Sequence, residues 1–183
     1  AKKIAGELNI TKSRLVIYIN GWLVETRGRR MIIELAKNIP QGLDIKIFIA
    51  SPQMEEAYEN NPYIEYLGVL PYEEALAYYF LSDLVLTFYD PAIEINKVAT
   101  PNKWGDAILT NTVPILNKGI ETVKDYFPEG GYFEIEYHAI DQLRNTVLDC
   151  YYHKDSLNQK KELLNKYEKK LFDIEFTRIL NKI

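Results

Sequence analysis

The residues with the most chemical content cluster in Ala99-Thr100-Pro101-Asn102-Lys103-Trp104-Gly105-Asp106-Ala107, followed by Thr112-Val113-Pro114-Ile115-Leu116. Thr100 has the side chain of a helix N-cap. Pro101 then falls at the first helical position, where a missing N–H costs nothing. The spacing predicts a helix start whose free amides, at Asn102 and Lys103, point outward and carry partial positive charge. Such an end suits a phosphate. Asn102 and Asp106 stand one turn apart on one face, with Lys103 beside them. An anion site, a cation and a carboxylate so arranged can hold a nucleoside diphosphate by its phosphates and its ribose. The same residues also fit a plainer role, a capped helix packed on a sheet, because capping signals are common. A second basic group, Arg27, Arg29 and Arg30, divides similarly. Arg27 is expected to face an anion, and its two neighbours to form a solvated helix start.

These side chains need elements to position them. Arg14 opens Leu15-Val16-Ile17-Tyr18-Ile19, a continuous apolar run that fits a strand buried on both faces. Asn20-Gly21 ends it. Further strands are expected over residues 45–50, 63–67, 84–89, 113–116 and 132–135. Helices are expected over 29–37, 54–59, from Pro71 to about Phe80, from Pro101, over 120–126, over 139–152 and over 156–172, with a loop over 90–99. Strands alternating with helices imply an α/β fold, a Rossmann-like doubly wound parallel six-stranded sheet with helices on both faces. The expected strand order is 3-2-1-4-5-6. Ligands of such sheets bind at the carboxyl ends of strands 1 and 4. The loop from Gly21 to Gly28 and the loop from Tyr89 to Asp106 both open there. Residues 1–13 read as a lead-in or linker, and 14–183 as one domain with C-terminal helices.

Composition narrows the alternatives. The chain has 183 residues, 47% hydrophobic and 26% charged, as in ordinary globular domains. A formal net charge of -4 argues against nucleic acid as a partner. No apolar run approaches the length of a membrane span. One cysteine, Cys150, excludes an internal disulfide framework and suggests a reducing compartment. Cys150, His138 and His153 lack metal-ligand spacing, so no metal is expected. A metal held between Glu94 and Asp106 for phosphoryl transfer is a remote alternative. Cys150 is expected to be a packed thiol and His138 a solvent-facing residue after a strand. Lys160, Lys161, Lys166, Lys169 and Lys170 alternate with Glu162 and Glu168, the pattern of a solvated amphipathic helix. The absence of G-x-G-x-x-G after the first strand argues against a dinucleotide cofactor.

Four stretches carry a family resemblance. Gly21-Trp22-Leu23-Val24-Glu25-Thr26-Arg27-Gly28 resembles a "GRLVEEKG" loop. Tyr66-Leu67-Gly68-Val69-Leu70-Pro71 resembles a "v.f.G.v" strand and turn, and Leu81-Ser82-Asp83-Leu84-Val85-Leu86 resembles "..aDv.v". The opening stretch resembles "aSPNKlfEamA.GvPVI". Together they are similar to the C-terminal, donor-nucleotide-binding domain of GT-B fold, group 1 (family 4-like) retaining glycosyltransferases. The resemblance runs from about Arg14 to Phe172. It implies a sugar-nucleotide-binding domain of a hexosyltransferase that uses a UDP- or GDP-linked sugar as substrate, with no separate cofactor. Gly21, Trp22, Gly68, Leu70, Glu94, Pro101, Asn102 and Asp106 would line the donor site. Arg27 and Lys103 would also bind there and serve catalysis, as cations facing the diphosphate. Asp106 stands where the family has a glutamate on the donor ribose, and Leu67 to Leu70 would lie against the base.

Two departures qualify that implication. Trp22 replaces an arginine that pairs with the cation at position 27. Val98 occupies the place of an acidic residue, for which Glu94 is the nearby substitute. A whole GT-B enzyme also needs an N-terminal domain or subunit that binds the acceptor, a glycan or a lipid-linked sugar. This chain has room for one half only, and alone it is expected to be inactive. The competing expectation is a non-catalytic or split-enzyme subunit that keeps the fold and has lost donor turnover. The expected location is cytoplasmic, at or near the inner membrane surface, with peripheral membrane contact.

Overall fold

The computed structural model describes residues 15–180, with side chains through residue 171. The expected lead-in, residues 1–13, lies outside the described residues. Six strands form one parallel sheet: β1 (Leu15–Asn20), β2 (Ile45–Ala50), β3 (Ile64–Tyr66), β4 (Leu84–Thr87), β5 (Val113–Asn117) and β6 (Phe133–Ile135). Their order is β3-β2-β1-β4-β5-β6. The helices are α1 (Arg29–Lys37), α2 (Glu56–Glu59), α3 (Tyr72–Leu81), α4 (Glu94–Lys97), α5 (Asn102–Thr110), α6 (Val123–Tyr126), α7 (Ile140–Tyr152) and α8 (Lys154–Leu180).

Central strand β1 explains why its sequence shows no alternation. Leu15, Ile17 and Ile19 join a core with Leu35 of α1 and Val147 of α7. Val16 and Tyr18, on the opposite face, join a second core with Tyr78 and Tyr79 of α3 and Ala107 of α5. Both faces are covered, so both must be apolar. Helix α8 closes the fold with Leu157 and Leu164 buried. Lys161 Nζ donates to Asp83 Oδ1 at 2.8 Å, and the same carboxylate accepts from the Val16 amide through Oδ2 at 3.1 Å. Lys160 donates to the carbonyls of Gly130 and Tyr132 at 2.9 and 2.7 Å.

Some local expectations are corrected. Thr100 does not cap α5, and Pro101 is not its first helical residue. Pro101 occupies the capping position with an extended ψ of 137°, no side chain caps the helix, and α5 begins at Asn102. Because Pro101 itself takes the extended conformation, the helix starts one residue later and Thr100 falls one place before the capping position. The Pro101 carbonyl still closes the first turn by accepting from the Trp104 amide at 2.9 Å. The loop over 90–99 contains the short helix α4, and the last helix runs from Lys154 to Leu180 rather than from 156 to 172. Cys150 is fully buried and His138 is exposed, as expected.

Candidate functional site

Three segments meet beyond the carboxyl ends of β1 and β4. The first is the chain leaving β1. Gly21 turns with φ of +93° and donates its amide to the Ala50 carbonyl at 2.9 Å. The chain then makes a short 3-10 turn at Glu25–Arg27 and reverses at Gly28, whose φ is +78°. A Cβ at Gly28 would lie 2.6 Å from the Phe88 ring, so only glycine fits both the angle and the space. This turn brings the Arg27 guanidinium over the Tyr89 ring, 4.0 Å from its centroid. That distance is within the range of a cation–π contact.

Tyr89 belongs to the second segment, just past β4. Its backbone is fixed by the fully buried Asn117, which accepts from the Tyr89 amide at 2.8 Å and donates to its carbonyl at 2.9 Å. The third segment is the start of α5. Trp104 anchors it, buried against Tyr126 and Phe127 with ring centroids 5.5 Å away in each case. Lys103 projects from that turn. Its Nζ donates to the Asn20 carbonyl at 3.0 Å and lies 5.8 Å from the Tyr89 centroid. Two cations therefore flank one ring. Burial, and then the Arg27 charge, lower the Lys103 ammonium from 10.5 to about 8. This is an ammonium short of counter-charge, and an anion would supply it.

Beside the cations opens a cleft of about 530 Å³, lined by Tyr18, Asn20, Gly21, Trp22, Leu70 and Tyr72 among others. Trp22 stands at its mouth, 65% exposed. Tyr72 Oη donates to Asp106 Oδ1 at 3.0 Å, which places that carboxylate against a residue of the cleft wall. The tyrosine is raised above its ordinary value, first by this hydrogen bond and then by the carboxylate charge. A second cavity, about 510 Å³, runs between α5 and α8 and is lined by Leu109, Tyr126, Tyr167 and Leu171. It is apolar and is lined by neither Arg27 nor Lys103.

The expected site residues divide accordingly. Gly21, Arg27 and Lys103 converge, and Gly21, Trp22 and Leu70 line the cleft. Asp106 reaches it through Tyr72. Pro101 and Asn102 sit at the start of α5, where the first amides lack intrahelical acceptors. Gly68 turns the chain after β3 with φ of +70°. Glu94 is engaged elsewhere, paired at 2.7 Å with Lys97 in its own short helix, with 85% of its side chain exposed. Arg29 pairs with Glu55 at 3.0 Å, consistent with a solvated helix start. Sequence reasoning missed Tyr18, Asn20, Tyr72, Tyr89 and Asn117. Tyr89 carried the available signal, an aromatic at the carboxyl end of the expected fourth strand.

No protein-family model matches the sequence, nor does any curated protein. The fold does have close counterparts: it is that of one half of a GT-B glycosyltransferase. The structure of HepE from Anabaena in complex with UDP-glucose superposes with a TM-score of 0.72 at 11% identity, covering 100% of this chain and 52% of HepE. WaaG, a glycosyltransferase involved in lipopolysaccharide biosynthesis, gives 0.73 at 13% identity, covering 92% of this chain and 46% of WaaG. The C-terminal domain of a glycosyl transferase group 1 family protein, LpcC of Francisella tularensis, gives 0.66 at 12% identity over 83% of both chains. The chain thus spans about half the length of HepE and WaaG, and at these identities the likeness is one of fold.

Proposed function

We propose that this chain is the donor-binding half of a glycosyltransferase, taking a nucleoside diphosphate sugar in the cleft beside Lys103. The observation that carries the reading is the convergence of Arg27 and Lys103 on Tyr89 at the carboxyl ends of β1 and β4. The diphosphate would lie across the Gly21 turn and the first amides of α5. Asp106 would exchange its Tyr72 partner for the ribose hydroxyls, and the Leu67–Leu70 loop would flank the base. Transfer of a hexosyl unit leaves negative charge on the departing diphosphate. Arg27 and Lys103 stand where that charge develops, and stabilising it there lowers the barrier. The acceptor, a glycan or lipid-linked sugar, would be held by an N-terminal domain or subunit, working at the cytoplasmic side of a membrane. Among the described residues no helix is long and apolar enough to cross one. HepE has been crystallised with UDP-glucose and with UDP, which supports a uridine donor.

Trp22 favours a second reading. It puts an exposed indole where the resembled family has a cation. One charge fewer on the leaving group suits a subunit that binds donor and turns it over slowly or not at all. Titration calorimetry with UDP, GDP and their sugars tests the donor reading. Binding is expected below millimolar concentration, and no binding of any of them at several millimolar refutes it. Transfer at an ordinary rate by the chain joined to its acceptor half would rule out the non-catalytic reading.

A further inference from the structure

The floor of the cleft holds a group that the proposed site has not yet used. Tyr18 lies in β1 with its side chain fully buried, and its ring is fixed on two sides. Tyr78 stacks on it at 5.7 Å between centroids, and Tyr79 meets it edge-on at 5.0 Å. The Tyr79 hydroxyl is already engaged, donating to Asn20 Oδ1 at 3.0 Å. The Tyr18 hydroxyl has no hydrogen-bond partner among the described residues, yet the residue lines the cleft together with Gly21, Leu70 and Tyr72. A buried hydroxyl without a partner is costly, and a phenylalanine would fill the same space without that cost. Packing therefore accounts for the ring and not for the oxygen.

We propose that the Tyr18 hydroxyl is a recognition group for the nucleoside part of a bound nucleoside diphosphate, hydrogen-bonding it at the cleft floor. This rests on the donor-binding reading. The position favours the nucleoside over the phosphates. Tyr18 stands two residues before Asn20, whose carbonyl accepts from the Lys103 ammonium, and it packs with α3, the helix whose Tyr72 hydroxyl donates to the Asp106 carboxylate assigned to the ribose. The Tyr18 hydroxyl is also raised well above an ordinary tyrosine, by burial first, then by Tyr78 and the Asp106 charge. It stays protonated and able to donate at any physiological pH.

The test is Tyr18→Phe in the whole chain. Calorimetric titrations with UDP, GDP, ADP and inorganic pyrophosphate are paired with thermal melting of the nucleotide-free proteins. The variant is expected to melt at the same or a higher temperature. Its affinity for the best nucleoside diphosphate should fall about tenfold, while pyrophosphate binding is unchanged. An unchanged nucleotide affinity overturns the role of Tyr18 and leaves the donor reading standing. A lowered melting temperature overturns it too, since the hydroxyl would then serve the fold. A wild-type chain that binds no nucleoside diphosphate overturns the donor reading itself, and this inference with it.

Discussion

Lys103 joins the fold to the proposed chemistry. With its ammonium lowered to about 8 in the folded chain and near 10.5 unfolded, the unfolded state holds more protons between those values. The Lys103 contribution to the stability of the nucleotide-free chain should therefore rise as pH increases from about 8 toward 10. Bound phosphate has the opposite effect, because it favours the protonated ammonium. Nucleoside diphosphate affinity should fall as pH passes above about 8. Calorimetric titrations at pH 7 and pH 9.5 check the second trend, and melting scans over the same range check the first. Asp106→Ala should weaken nucleotide binding by about 1–3 kcal/mol through loss of the ribose hydrogen bond. An unchanged affinity would reduce Asp106 to a surface partner of Tyr72. The cations and the carboxylate were legible at this scale because motif spacing carries them. Tyr89 and Asn117 were not, since their roles depend on strands that meet only in the folded chain.

At the scale of elements, the turn at Gly28 sets where Arg27 points. Gly28→Ala would place a methyl group within van der Waals overlap of Phe88 at a left-handed backbone angle. The chain should lose about 2–4 kcal/mol of stability by denaturant titration, the clash adding to the backbone strain. The Gly28→Ala protein should also bind nucleotide more weakly than the loss of folded fraction accounts for, since Arg27 shifts with the turn. The strands were readable because their apolar runs are short, β-branched and bounded by Gly, Pro or Asn. Their order followed from the alternation with helices. The start of α5 was misread by one residue for a local reason. Thr100 looks like a cap, but Pro101 keeps helical φ with an extended ψ of 137° and so takes the cap position itself. Asn111 ends the same helix in the left-handed region with φ of 58°, a conformation asparagine tolerates.

For the molecule as a whole, Asp83 couples two distant parts of the chain. One carboxylate oxygen accepts from the Val16 amide at the start of β1 and the other from Lys161 of α8. Asp83→Ala removes a partly buried ion pair and leaves the Val16 amide without its partner. A loss of about 2 kcal/mol is expected by denaturant titration. Faster hydrogen exchange along α8 should accompany it, with the cleft retained. The expected helix stopped at 172, although the turns it missed, Asp173 to Leu180, hold Ile174, Phe176, Ile179 and Leu180 and no Gly or Pro that would end a helix. The charge pattern did identify it as a solvated helix.

The strand order also governs how the chain assembles. In β3-β2-β1-β4-β5-β6, the central strand β1 precedes the other five in the sequence, yet one of its two edges stays open until β4 arrives. Ile17 must find Leu84, far along the chain, before that edge closes. Until then the strand from Leu15 to Ile19 presents an apolar edge able to pair with another chain. Loop closure over such separations also slows folding. The arrangement that brings the Gly21 turn and Lys103 together thus leaves a folding chain with an unpaired apolar edge until β4 docks.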